Sequence, residues 1–107
     1  MMIWPSDHHI QDKEAWLRLH RGACSDVAVE GTVLVGIEPD HPATGYGYIE
    51  HSDGSVLRFH EKPTADKAQE LMNKNVLWNA GVCIVNVQTL ERLFEKHLPV
   101  CLTPHWE

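Results

Sequence analysis

Hydrophobic and polar positions along this chain alternate between runs that suit strands and stripes that suit helices. Met1 to Pro5 predicts a short strand ended by Pro5, with Asp7 in the strand-to-helix loop that follows. Asp12 is placed to cap a helix, and Ala15, Trp16, Leu19, Ala23 and Val27 recur at near-helical spacing as one apolar stripe. Gly31 ends that region. Thr32 to Ile37 is a continuous apolar run of strand length, the pattern of a strand covered on both faces. Glu38 to Thr44 holds two prolines and reads as a loop.

Tyr46 to Glu50 and Ser55 to Glu61 predict two strands, joined through His51-Ser52-Asp53-Gly54, where Asp-Gly is a strong hairpin signal. Within the second, Leu57, Phe59 and Glu61 share a face, and Val56, Arg58 and His60 the other. Thr64 can cap a helix reaching about Asn73, burying Ala65, Ala68, Leu71 and Met72. Gly81 to Val87 is a second apolar strand. A last helix, about Thr89 to His97, is expected to bury Leu90, Leu93 and Phe94 before Pro99 stops it. The order strand, helix, strand, hairpin, helix, strand, helix predicts an α/β fold with a mixed sheet of about five strands and flanking helices.

Composition adds limits. The 107 residues suit one domain, and 43% hydrophobic with 22% charged residues is ordinary for a globular protein. A net charge of -6 argues against bulk nucleic-acid binding, yet leaves room for an anionic small molecule met by a local cation. Three cysteines, Cys24, Cys83 and Cys101, form no CxxC pair, so neither a zinc site nor a disulfide framework is expected. No apolar run approaches the ~20 residues of a membrane span. With no leader pattern at the start, a cytoplasmic location is the expectation.

Five short blocks carry candidate chemistry. They are Pro5-Ser6-Asp7-His8-His9-Ile10, Gly36-Ile37-Glu38-Pro39, Thr44-Gly45-Tyr46-Gly47-Tyr48-Ile49, Phe59-His60-Glu61-Lys62-Pro63 and Leu77-Trp78-Asn79-Ala80-Gly81. Their residue types suit a phosphorylated sugar. A carboxylate and an amide can grip hydroxyls, an ammonium can pair with phosphate, and glycines let backbone N–H groups approach a ligand. Taken alone, Glu61 and Lys62 also fit two solvated charges at a strand end, and Asn79 also fits a turn. His8 and His9 are adjacent and share no face, so they are read as loop residues rather than metal ligands. Cys83 reads as an inert apolar residue of a strand.

In order and spacing, over roughly residues 3 to 98, the five blocks resemble the middle of a mannose-1-phosphate guanylyltransferase, among the sugar-nucleotide pyrophosphorylases. The resemblance implies a truncated Rossmann-like nucleotidyltransferase fold. It implies that Gly45, Tyr46 and Gly47 contact the sugar, that Glu61 and Asn79 bind its hydroxyls, and that Lys62 binds its phosphate. It also implies that Asp7 helps hold a magnesium ion bridging phosphates, a weak site without a nucleotide because one carboxylate is a small part of a magnesium shell. The partner implied is a hexose 1-phosphate, first of all mannose 1-phosphate.

The family's glycine-rich nucleotide loop and second metal-binding aspartate have no counterpart among these residues, and Pro99 to Glu107 matches nothing in the pattern. The expectation is therefore a partial domain over 1–98 with a divergent tail over 99–107. It would retain part of a sugar-phosphate pocket without being a competent transferase alone. Alternatives from other classes are a stand-alone sugar-phosphate-binding module, a structural homo-oligomer with a vestigial site, and an enzyme completed by a separate chain. An unpaired apolar strand edge near Met1 to Trp4 and Thr32 to Ile37 predicts a homo-oligomer, with swapping of the N-terminal strand as one route.

Overall fold

The computed structural model describes residues 1–98, so the tail expected over 99–107 and Cys101 lie outside the described residues. Eight elements follow in chain order: β1 (Met2–Ile3), α1 (Lys13–Glu30), β2 (Thr32–Ile37), β3 (Tyr48–Ser52), β4 (Ser55–His60), α2 (Ala65–Leu71), β5 (Val76–Val85) and α3 (Val87–His97). The fold is α/β, with three helices and a five-stranded sheet as the pattern predicts. The strand order is β1-β5-β3-β4, and β2 also pairs with β5. The β1–β5, β3–β4 and β3–β5 pairings are antiparallel.

The helix caps are those the sequence predicts. Asp12 accepts a hydrogen bond from the Ala15 amide at 2.8 Å, and Thr64 accepts from Lys67. Each satisfies one of the orphan amides at a helix start. Gly31 closes α1 at φ 80°, its amide bonded to the Val27 carbonyl. The two-residue turn Asp53-Gly54 has φ values of 48° and 83°, both positive as a type I′ hairpin turn requires.

Several boundaries differ from the sequence reading. β5 begins at Val76, not Gly81, because Val76, Leu77 and Trp78 pair with Glu50, Ile49 and Tyr48. Such a pairing is tertiary and leaves no local signature. Asn79 is therefore a strand residue and not part of a turn ahead of the strand. β3 starts two residues later than expected, leaving Gly45 to Gly47 ahead of it. α2 stops at Leu71, and Ala65 is exposed. α3 starts at Val87, because Asn86 accepts from the Gln88 and Thr89 amides. No α3 residue is fully buried, and Leu93 is 44% exposed. In β2 only Val35 is fully buried, so the two-sided cover expected there is partial.

The described residues divide into two compact units, residues 1–33 with 83–98, and residues 34–82. In the first, Ala23, Ile84 and Val85 are buried. The α1 stripe is only half sunk, since Trp16 is partly buried and Leu19 is 40% exposed. Imidazole and indole pack together there: His20 meets Trp16 and Trp4 edge-on, with centroids 4.2 and 5.9 Å apart. In the second unit, Tyr48, Ala68, Leu71 and Val76 form the core, with Met72 and Trp78 packed against it. Gly36 of β2 lies so near Leu77 that a Cβ on it would come within 2.7 Å of the Leu77 Cβ. Any larger residue would push the strands apart there.

Candidate functional site

Residues 34–82 carry every candidate for contacting a sugar. Tyr48 ties them together. It is wholly buried, sits opposite both His60 and Trp78 in the sheet, and donates its hydroxyl to the Ala43 carbonyl at 2.7 Å. That bond holds the loop ahead of β3 against the sheet. Gly47, next to it, is buried, and its carbonyl accepts from the Asn79 amide at 2.8 Å. A Cβ on Gly47 would come within 2.7 Å of the Phe59 ring and 3.0 Å of Glu61 Oε2. Gly47, Glu61 and Asn79, far apart in sequence, thus meet at one place.

Each side chain has a defined state. Asn79 Oδ1 accepts from the Gly81 amide at 3.2 Å, across a backbone that Gly81 kinks at φ 74°. With the oxygen engaged, the amide Nδ2 is the group left to donate. Tyr46 is half exposed and rests its ring on Trp78, centroids 4.9 Å apart and planes tilted by 52°. Gly45 has open space around it.

Glu61 and Lys62 both lie beyond the end of β4, which stops at His60. The strand face expected for Glu61 therefore does not apply. Lys62 instead has φ 39°. Asp53, the other non-glycine residue with positive φ, owes it to the hairpin turn. Lys62 has no such turn, and a bulky residue held there costs roughly 1–2 kcal/mol. Backbone strain of this kind clusters at ligand clamps.

Behind these groups lies a charged network. Glu50 Oε2 is 3.1 Å from His60 Nε2, and Glu50 Oε1 is 3.5 Å from Lys74 Nζ, which also approaches Glu70 at 3.8 Å. The hydrogen bond from His60, aided by Lys74, holds the Glu50 carboxyl below the usual carboxylate range, against the opposing effect of desolvation. Sequence reading gave Phe59 a strand face but not its contact with Gly47, and gave no place to Asp40-His41, whose imidazole packs on Trp78. Loops carry no periodicity, so a pair such as Asp40-His41 offers no signal by itself.

Asp7 belongs to the other unit, exposed in a turn after β1. No group of three or more His, Cys, Asp or Glu residues that could hold a metal forms among the described residues. Among them, too, no helix is long and apolar enough to cross a membrane.

The nucleotidyl transferase profile matches residues 1–100. The chain belongs to the nucleotidyl transferase family. Its relatives include a mannose-1-phosphate guanylyltransferase of Sinorhizobium fredii, 34% identical over 96% of this chain and 22% of that protein. Among solved structures, a mannose-1-phosphate geranyltransferase from Thermus thermophilus is 34% identical with a TM-score of 0.79, covering 92% of this chain and 31% of the other. A mannose-6-phosphate isomerase from Helicobacter pylori is 33% identical with a TM-score of 0.86, covering 92% and 40%. The chain is a sugar nucleotidyltransferase-like segment that spans about a fifth of the length of the curated relatives it matches.

Proposed function

We propose that residues 34–82 bind a hexose 1-phosphate, most simply mannose 1-phosphate, as the sugar side of a guanylyltransferase site. The convergence of Gly47, Glu61 and Asn79 supports the reading most directly. In it, Glu61 accepts from sugar hydroxyls, Asn79 donates through Nδ2, Gly45 to Gly47 let the ligand approach the backbone, and Lys62 pairs with the phosphate. Within the first unit, Asp7 would supply one hard oxygen to a magnesium ion.

By this reading the 107 residues bind the sugar phosphate and do not complete nucleotidyl transfer by themselves. Pyrophosphate release from GTP and mannose 1-phosphate by the pure chain would overturn that part. Binding is tested by titrating the full chain with mannose 1-phosphate. Ligand at about 100 times Kd should stabilise the fold by ~2.7 kcal/mol. Lys62→Ala should weaken binding more than Lys67→Ala, since Lys67 already pairs with Glu70 at 2.9 Å. Equal loss in both variants, or no saturation at millimolar ligand, would sink the reading.

We also infer a homo-oligomer. Ile3, Trp4 and Leu17 of the first unit are 48%, 55% and 54% exposed, and a second copy of the chain would cover such apolar surface. A stable, folded monomer of 12.2 kDa in sedimentation at micromolar concentration would refute it.

A further inference from the structure

The sheet face that carries Gly47 and Asn79 also bears an aromatic ring to which the hexose-phosphate reading gives no role. Residues two apart on a strand share a face. Ile49 and Leu77 are partners, and the Asn79 amide continues that pairing to Gly47, so all four lie on one face in two adjacent rows. Phe59 is the partner of Ile49 on its other side and extends the apolar row. The opposite face belongs to the core, where Tyr48 and Val76 meet Ala68 and Leu71 of α2. The contacts of Gly47 fix where the Phe59 ring goes. A Cβ there would meet Phe59 Cζ at 2.7 Å, Phe59 Cε1 at 3.1 Å and Glu61 Oε2 at 3.0 Å. The tip of the ring and the carboxylate therefore lie side by side over one glycine, while the ring as a whole stays exposed.

That juxtaposition suits a sugar ring. A pyranose is polar around its rim of hydroxyls and apolar on its faces, where C–H bonds project. An aromatic ring carries a negative face, which attracts such C–H groups and repels an anion. A carboxylate beside it accepts from the rim hydroxyls. We propose that Phe59 is a further substrate-binding residue of this pocket, its ring face receiving the C–H face of the hexose while Glu61 and Asn79 hold the rim. This rests on the hexose-phosphate reading and refines it: Lys62 recognises the phosphate that all sugar phosphates share, and Phe59 selects a cyclic sugar over an open-chain phosphate.

The test follows the protons of mannose 1-phosphate by NMR as the full chain is titrated in. Protons held over an aromatic face shift upfield, so a subset of the hexose C–H signals should move upfield on binding and show NOEs to the Phe59 ring. Phe59→Leu keeps an apolar side chain without the ring. It should abolish the upfield shift and weaken binding about 2–10-fold, the scale of one aromatic contact. Leu57→Ala, which trims another exposed apolar residue of β4, should change neither. Saturable wild-type binding with no upfield shift, or with NOEs only to a different aromatic residue, overturns the assignment to Phe59 even if Phe59→Leu fails to fold. An upfield shift or full affinity that survives in Phe59→Leu, or an equal loss in Leu57→Ala, overturns it too. Each of these leaves a Lys62-dependent pocket standing. A wild-type chain that shows no saturable binding overturns both proposals together.

Discussion

Replacing Gly47 with alanine separates the architecture of this site from the stability of the fold. The new Cβ would stand 2.7 Å from Phe59 Cζ, 3.1 Å from Phe59 Cε1 and 3.0 Å from Glu61 Oε2. Carbon atoms at rest lie roughly 3.5–4.0 Å apart, so the ring must retreat by most of an ångström. It can do so. The crowded atom is the far end of a side chain 42% exposed, and Gly47 does not have the positive φ that would demand glycine. The stability cost should fall at the low end of overpacking, about 1 kcal/mol. Glu61 has less latitude in function than in packing, because a shift of a few tenths of an ångström moves the carboxylate meant to meet the sugar. A hydrogen bond to a charged group contributes ~1.5–3 kcal/mol, so its loss should weaken mannose 1-phosphate by roughly 10–150-fold. Gly22→Ala in α1, which meets nothing within 4 Å and has no place in the pocket, is the control and should leave affinity unchanged and the fold no less stable. Thermal melts and calorimetric titration of the three proteins give both numbers. Undiminished affinity in Gly47→Ala, or a stability loss above about 3 kcal/mol with proportionate loss of binding, would refute the argument that the glycine makes room for Glu61.

Three further outcomes follow from particular residues. Lys62→Gly should relieve the positive φ and leave the melting temperature unchanged or slightly raised, within about 1 kcal/mol, while abolishing saturable binding; a marked destabilisation would show the backbone there is not strained. Because Glu50 is held below the usual carboxylate range by the His60 hydrogen bond, its contribution is fully present above the unfolded carboxylate's range and is lost as pH falls through the lower folded value. Melts from neutral to acid pH should therefore fall less steeply in Glu50→Gln, and identical slopes would remove Glu50 from the acid response. Cys24 is exposed, while burial raises the Cys83 thiol, so a thiol reagent followed by peptide mass spectrometry should label Cys24 before Cys83; the reverse order would contradict the placement of Cys83 in β5.

What could be read from the sequence divides along the range of the interactions. Asp12, Thr64, Gly31 and Asp53-Gly54 act on amides or dihedrals within a few residues, and their caps and turn are where the residue types predict. Elements fixed by contacts across the fold are less legible. Val76 to Trp78 join β5 because β3 lies alongside, and nothing in the local pattern of Asn75 to Ala80 reports that neighbour. The expectation that Leu90, Leu93 and Phe94 are buried fails for a related reason. Periodicity identifies an apolar face, and Leu93 lies on it, but whether that face is covered depends on partners elsewhere.

The site follows from the same pairing. Placing Trp78 opposite Tyr48 puts Asn79 against Gly47, and the β3–β4 register brings His60 opposite Tyr48, so the chain emerging from β4 delivers Glu61 to the same glycine. The residue types could be chosen from sequence, because sugar recognition needs a carboxylate, an amide, a cation and small backbone-exposing residues. Their meeting point could not, since it depends on two strand registers, and a slip of one residue in either would turn the groups to the opposite face. The β3–β4 register is set locally, by the two-residue turn together with the one-residue shift between Glu50 and His51. The β3–β5 register is set by the wholly buried Tyr48, which cannot leave its place without exposing the core that Ala68, Leu71 and Val76 share with it. Tyr48, which would touch no ligand in this account, is therefore the residue on which the geometry of the pocket most depends. Tyr48→Phe, losing only the bond to Ala43, should loosen the loop bearing His41 while keeping both registers. Hydrogen exchange reads both effects: the Ala43 amide should exchange faster and the Asn79 amide at its former rate. Faster exchange at Asn79 as well would mean that the hydroxyl, and not the buried ring, holds the β3–β5 register.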